Sequence, residues 1–200
     1  MSISSRIPTP HKNKRRIFRG AHELLYPESH GRTRQKVIRL LKLFKLYMDI
    51  CLLRVGPQDL PASQSALTLS LLAYAATSIA LSVLTHSFEN NVLYGLADTL
   101  TLAAFTYFLL TVRQLPQRFT QTLSALAVTG AIIGLFALPL ILIPNVTPLP
   151  LLLITVWNLA VTGHILRHAL NVSLPMGILA SMGYLLASLT LAMLLAPASP

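Results

Sequence analysis

From residue 60 onward the chain alternates long uncharged apolar stretches with short polar punctuation. Leu60 to Thr85 contains no charged residue. Because the ~30 Å hydrocarbon core of a bilayer takes about 20 apolar residues in a helix, a first span is predicted over about residues 66–84. HSFENN (86–91) is a polar turn, and a second span follows over about 92–112 with Asp98 as its one charge. RQLPQR (113–118) is the next short loop. Residues 119–170 are too long for one crossing, and PNVTPLP (144–150) divides them, since closely spaced prolines remove backbone donors and break helices. Spans are therefore predicted over about 119–143 and 150–170, and a fifth over about 176–195 after NVSLP (171–175), where Ser173 offers a cap.

Ahead of the spans, KVIRLLKLFKLYMDICLL (36–53) carries Lys36, Arg39, Lys42, Lys45 and Asp49 at intervals of three or four residues. That spacing predicts an amphipathic helix within residues 33–56, suited to the headgroup region with its four cations on lipid phosphate. Residues 1–32 show no sustained periodicity and read as a basic, disordered arm. RVGPQDLPAS (54–63) reads as a joint at residues 57–63: Gly56 suits the left-handed residue that ends the amphipathic helix, Pro57 stops it, and Asp59 or Ser63 caps the first span. Gln58 and Asp59, exposed at that corner, are a candidate partner-docking pair. The expected fold is all-α: five transmembrane helices within 64–196, preceded by a cytoplasmic interfacial helix.

Composition agrees, with 54% apolar and 11% charged residues against roughly 25% charged in soluble domains. Charge then sets the expected orientation. Thirteen of the sixteen Lys and Arg precede residue 61, and with that arm in the cytoplasm Arg113, Arg118 and Arg167 fall on the same side. The expectation is a multi-pass protein of the cell inner membrane, N-terminus cytoplasmic and C-terminus periplasmic. KNKRR (12–16), beside a membrane domain, reads as a topology and headgroup signal facing anionic lipid, not as a nucleic-acid site. The single cysteine, Cys51, excludes an intramolecular disulfide.

Asp98 is the sharpest chemical candidate, because a carboxylate within a span costs several kcal/mol unless it finds a partner, a proton or water. Counting about 1.5 Å per residue, it lies about 9 Å inside its span, while Asn158 and His164 lie at about 13 and 22 Å from the same membrane face. Asn158 or Thr155 is thus placed to reach it, and His164 is not. The chemistry is either a proton or cation site or one interhelical hydrogen bond. HILRH (164–168) sets His164 and His168 four apart, but two ligands beside Arg167 make no metal site, and an interfacial anchor is expected. GAIIG (130–134) permits close helix approach, within the chain or between copies. NVT (145–147) and NVS (171–173) match glycosylation acceptors too near the membrane to be used. Walker, dinucleotide, H-E-x-x-H and nucleophile-elbow motifs are absent, so neither enzyme activity nor a cofactor is expected.

GPQDLPAS (56–63) and NLAVTGHILRHAL (158–170), with five spans behind a basic arm, resemble the YIP family of Rab-interacting five-span membrane proteins, and more closely its bacterial branch, over about residues 45–196. The resemblance implies a non-enzymatic inner-membrane protein that organises membrane or binds partners; separately, GAIIG allows a homo- or hetero-oligomer through the membrane helices. A small transporter or channel subunit using Asp98 is the rival expectation.

Overall fold

The computed structural model describes residues 41–60, 62–85, 91–143 and 147–195. The arm at 1–32, Lys36, Arg39, the turn at 86–90 and Asn145 lie outside the described residues. The chain divides into two units, Met1–Leu43 and Phe44–Pro200. Of the first, residues 41–43 are described and helical.

Helix α1 covers residues 41–51. Five longer helices follow: α2 Gln64–Thr85, α3 Asn91–Val112, α4 Phe119–Ile141, α5 Pro148–Leu170 and α6 Leu174–Leu195. Each is long and apolar enough to cross a membrane. The described residues are all helix, turn and extended linker, and the chain is a multi-pass helical membrane protein. The helices start and stop where local chemistry dictates. Ser63 Oγ accepts from Ala66 N–H (3.5 Å) at the start of α2, so Ser63 and not Asp59 is the cap. Pro148 opens α5, where a missing N–H costs nothing. Gln114 and Asn171 turn left-handed behind α3 and α5 (φ 58° and 55°), and their successors Leu115 and Val172 reach back to the Leu110 and Arg167 carbonyls (2.8 and 3.0 Å).

Helices consecutive in the chain run antiparallel, and α2 and α4, which run in the same direction, pack side by side. Ser124 Oγ lies 3.0 Å from Ser70 Oγ, whose own proton goes to Ala66 O (2.6 Å). Further along, Gly130 and Gly134 face the Tyr74 ring and the Thr77 methyl, where a Cβ would arrive at 2.8 and 2.7 Å. The small residues of GAIIG thus admit α2 of the same chain. At the α5–α6 crossing, a Cβ on Gly177 would run into Gly163 O and Arg167 backbone. Large apolar side chains such as Leu69, Phe108, Phe136, Leu153 and Leu186 stay exposed around the outside, as lipid-facing positions do. The N-termini of α2, α4 and α6 share one end of the bundle with the joint; the opposite end is called the far end below.

The joint differs from its sequence reading. Leu53, not Gly56, takes the left-handed conformation that ends α1 (φ 62°), with Leu53 N–H on Ile50 O (2.9 Å) and Arg54 N–H on Asp49 O (3.0 Å). Gly56 is extended (φ −94°) and matters for space: its Cβ would meet the Gln58 side chain at 3.2 Å and the His168 ring at 3.3 Å. Pro57–Asp59 forms a single 3-10 turn, with Pro57 buried and Gln58 and Asp59 exposed.

Candidate functional site

Two polar constructions stand out, one at the joint and one toward the far end. At the joint, α1 and the linker after it are laced to α5. Trp157 Nε1 donates to Cys51 O (3.0 Å), His164 Nε2 meets Val55 O (3.3 Å), and Gly56 packs on His168. A carbonyl only accepts, so the histidine contact requires the proton on Nε2. The chain therefore descends along α5 from Trp157 to His168, and at about 1.5 Å per residue Trp157 lies about 20 Å above Leu170. The last turn of α1 is thus level with the middle of α5 and packs on the membrane domain. Ile50 and Cys51 are buried there, and burial pushes the Cys51 thiol up to about 11. Lys42 and Lys45 remain exposed.

His164, expected as an interfacial anchor, is buried beneath the joint and lies edge-to-face against His168, their ring centres 4.6 Å apart. Arg118 donates to the His168 and Ala169 carbonyls (3.2 and 3.1 Å), closing the C-terminus of α5 with a cation where the helix dipole favours one. Gln121 Nε2 donates to Leu60 O (2.8 Å). These bonds fix the backbone of the corner on which Gln58 and Asp59 stand.

The second construction is built around Asp98, which is only 6% exposed. Its Oδ2 accepts from the Tyr74 hydroxyl (2.9 Å) and the Ser78 hydroxyl (3.0 Å) of α2, and its Oδ1 from the Ser188 hydroxyl (2.8 Å) of α6. Tyr184 OH lies 2.7 Å from Tyr74 OH. Since Tyr74 commits its one proton to Asp98, Tyr184 is the donor there, and the relay runs Tyr184 to Tyr74 to Asp98. The carboxylate borders a half-open cavity of about 390 Å³ lined by residues of α2, α3, α4, α5 and α6. Thr155 and Asn158 line it from α5, so the structure brings Asp98, Thr155 and Asn158 to one cavity. The groups bonded to the carboxylate, however, are hydroxyls of α2 and α6. Arg113, Arg118 and Arg167, the three Lys or Arg residues after residue 60, stand at the joint end of their helices.

Tyr74, Ser78, Ser188 and Tyr184 were not singled out from the sequence. One signal was legible: Ser70, Tyr74, Ser78 and Ser82 recur every four residues and so line one face of α2. All three serines are buried, bonded in turn to Ser124, Asp98 and Asn91. Ser188 and Tyr184 had no such signal. No family model matches the chain, and neither a curated protein nor a solved structure does.

Proposed function

We propose that the protein is a small, non-enzymatic membrane transport component, alone or as a subunit, that binds a proton or a monovalent cation at Asp98. One observation carries this reading: a buried carboxylate, held by three hydroxyl donors, borders a cavity of about 390 Å³ that no Lys or Arg lines among the described residues. A purely structural polar contact has no need of the cavity. The three hydroxyls lower the cost of a carboxylate in the hydrocarbon region but carry no charge, so a proton or a cation would still be favoured beside it. Under the positive-inside rule the joint faces the cytoplasm of a bacterial inner membrane, so the cavity lies in the periplasmic half. The test is flux of protons or small cations in proteoliposomes. Asp98→Asn should abolish it while the protein stays monodisperse, and undiminished flux in that variant would sink the reading.

A second reading follows from the joint. Exposed Lys42 and Lys45 follow Lys36 and Arg39 in the sequence at intervals of three, and exposed Gln58 and Asp59 stand on a corner fixed by Gln121 and His164. These features support a membrane-organising or partner-binding role on anionic lipid, as the YIP resemblance implies. Charge reversal of Lys36, Arg39, Lys42 and Lys45 should weaken contact between the N-terminal arm and anionic bilayers at low salt. Unchanged contact would remove the lipid part.

A further inference from the structure

We infer that the guest of the Asp98 cavity is a small primary ammonium cation with a short apolar tail; the inference rests on Asp98 being a cation site. The direction of the hydroxyl protons carries it. Thr77 donates to Ala73 O (2.9 Å), Thr155 to Leu151 O (2.9 Å) and Ser78 to Asp98 (3.0 Å), so each of these cavity-lining hydroxyls has committed its only proton. What they have left to offer a guest are lone pairs. Together with the Asp98 carboxylate and the Asn158 carbonyl oxygen, they supply several acceptors around one negative charge, beside the two N–H donors of the Asn158 amide. A carboxylate or phosphate guest would find repulsion there. An ammonium group, with three donors and a positive charge, finds matching partners.

Size and lining decide between an inorganic ion and an organic one. A single water takes about 30 Å³ of liquid volume, and small-molecule pockets start at about 300 Å³. The cavity, at about 390 Å³, is in the second class. Ile133, Ala137, Ile154 and Leu185 supply an apolar wall that a hydrated ion cannot use and an alkyl tail can. The rings of Tyr74 and Tyr94 also line it, and aromatic faces attract organic cations.

The test measures binding to the full chain in lipid nanodiscs by calorimetry, with n-butylammonium, sodium and neutral 1-butanol as probes. Butylammonium should bind saturably, and butanol at least ~100-fold more weakly for want of the charge. Asp98→Asn should remove butylammonium binding. Thr155→Val, which keeps shape and removes one acceptor, should weaken it about 10-fold. Leu185→Trp, which narrows the cavity, should weaken butylammonium while sparing any sodium binding. If Asp98→Asn aggregates, the Thr155 and Leu185 variants carry the test. Sodium binding that depends on Asp98, with no saturable butylammonium binding, would overturn the ligand class and leave the Asp98 reading standing. Binding of all probes indifferent to Asp98→Asn would overturn both.

Discussion

Ser188 Oγ donates to Asp98 Oδ1 at 2.8 Å across 90 residues of sequence, tying α6, with its mostly lipid-facing side chains, to the carboxylate of α3. α6 shows few buried residues, Gly177 and Ser181 among them, so polar contacts are a large part of what seats it. Interhelical hydrogen bonds within membranes average roughly 0.6 kcal/mol and reach about 2. Ser188→Ala should lower the unfolding free energy in mild detergent by about 1 kcal/mol. A double-mutant cycle with Asp98→Asn should show coupling, and strictly additive effects would argue against the contact.

Tyr74 links two partners, so Tyr74→Phe removes a donor from Asp98 and an acceptor from the Tyr184 hydroxyl. The expected cost is about 1–3 kcal/mol of stability, as for a buried polar group left unpaired. Tyr184→Phe keeps the Tyr74–Asp98 bond and should cost less. Thermal unfolding of the two variants side by side checks the order.

Gly177 sits where α6 meets α5, and a Cβ there has no room against Gly163 O and the Arg167 backbone. Gly177→Val should force the helices apart and cost about 1–3 kcal/mol. An added Cβ on Gly183 would meet Phe105 Cζ at 3.4 Å, ordinary van der Waals contact, so Gly183→Ala is expected to be tolerated. Comparing the melting temperatures of the two purified variants decides it.

Cys51 is buried, and burial pushes its thiol up to about 11, so the reactive thiolate is scarce at pH 8. Maleimide labelling of the intact protein should be slow at pH 8 and rapid after denaturation. Trp157→Phe removes the bond to the Cys51 carbonyl and should speed labelling in the folded state. Prompt labelling of the unaltered protein would contradict the seating of α1 against α5.

The two sites were unequally legible beforehand. Asp98 could be singled out because one acid among apolar residues is visible in a string, and depth counting selected Thr155 and Asn158 as residues at its level. Tyr74 and Ser78 left a four-residue rhythm on α2 that helical geometry could have exposed. Ser188, one hydroxyl in an otherwise ordinary apolar helix, left none. At the joint, glycine's freedom pointed to Gly56 as the left-handed residue, but glycine also serves where space is short. Leu53, exposed and free to tolerate the strain, takes the left-handed turn instead.

By itself the sequence determined five spans, their ends and the place of the joint, because hydropathy, proline and charge act residue by residue along the chain and need no partner. Only the tertiary structure decided which hydroxyls surround Asp98, that Thr155 and Asn158 share a cavity with it, and that the end of α1 is level with Trp157. Those outcomes depend on how each helix is rotated and how far it slides against its neighbours. Rotation and sliding follow from close packing at residues such as Gly130, Gly163 and Gly177, whose contacts lie on other helices.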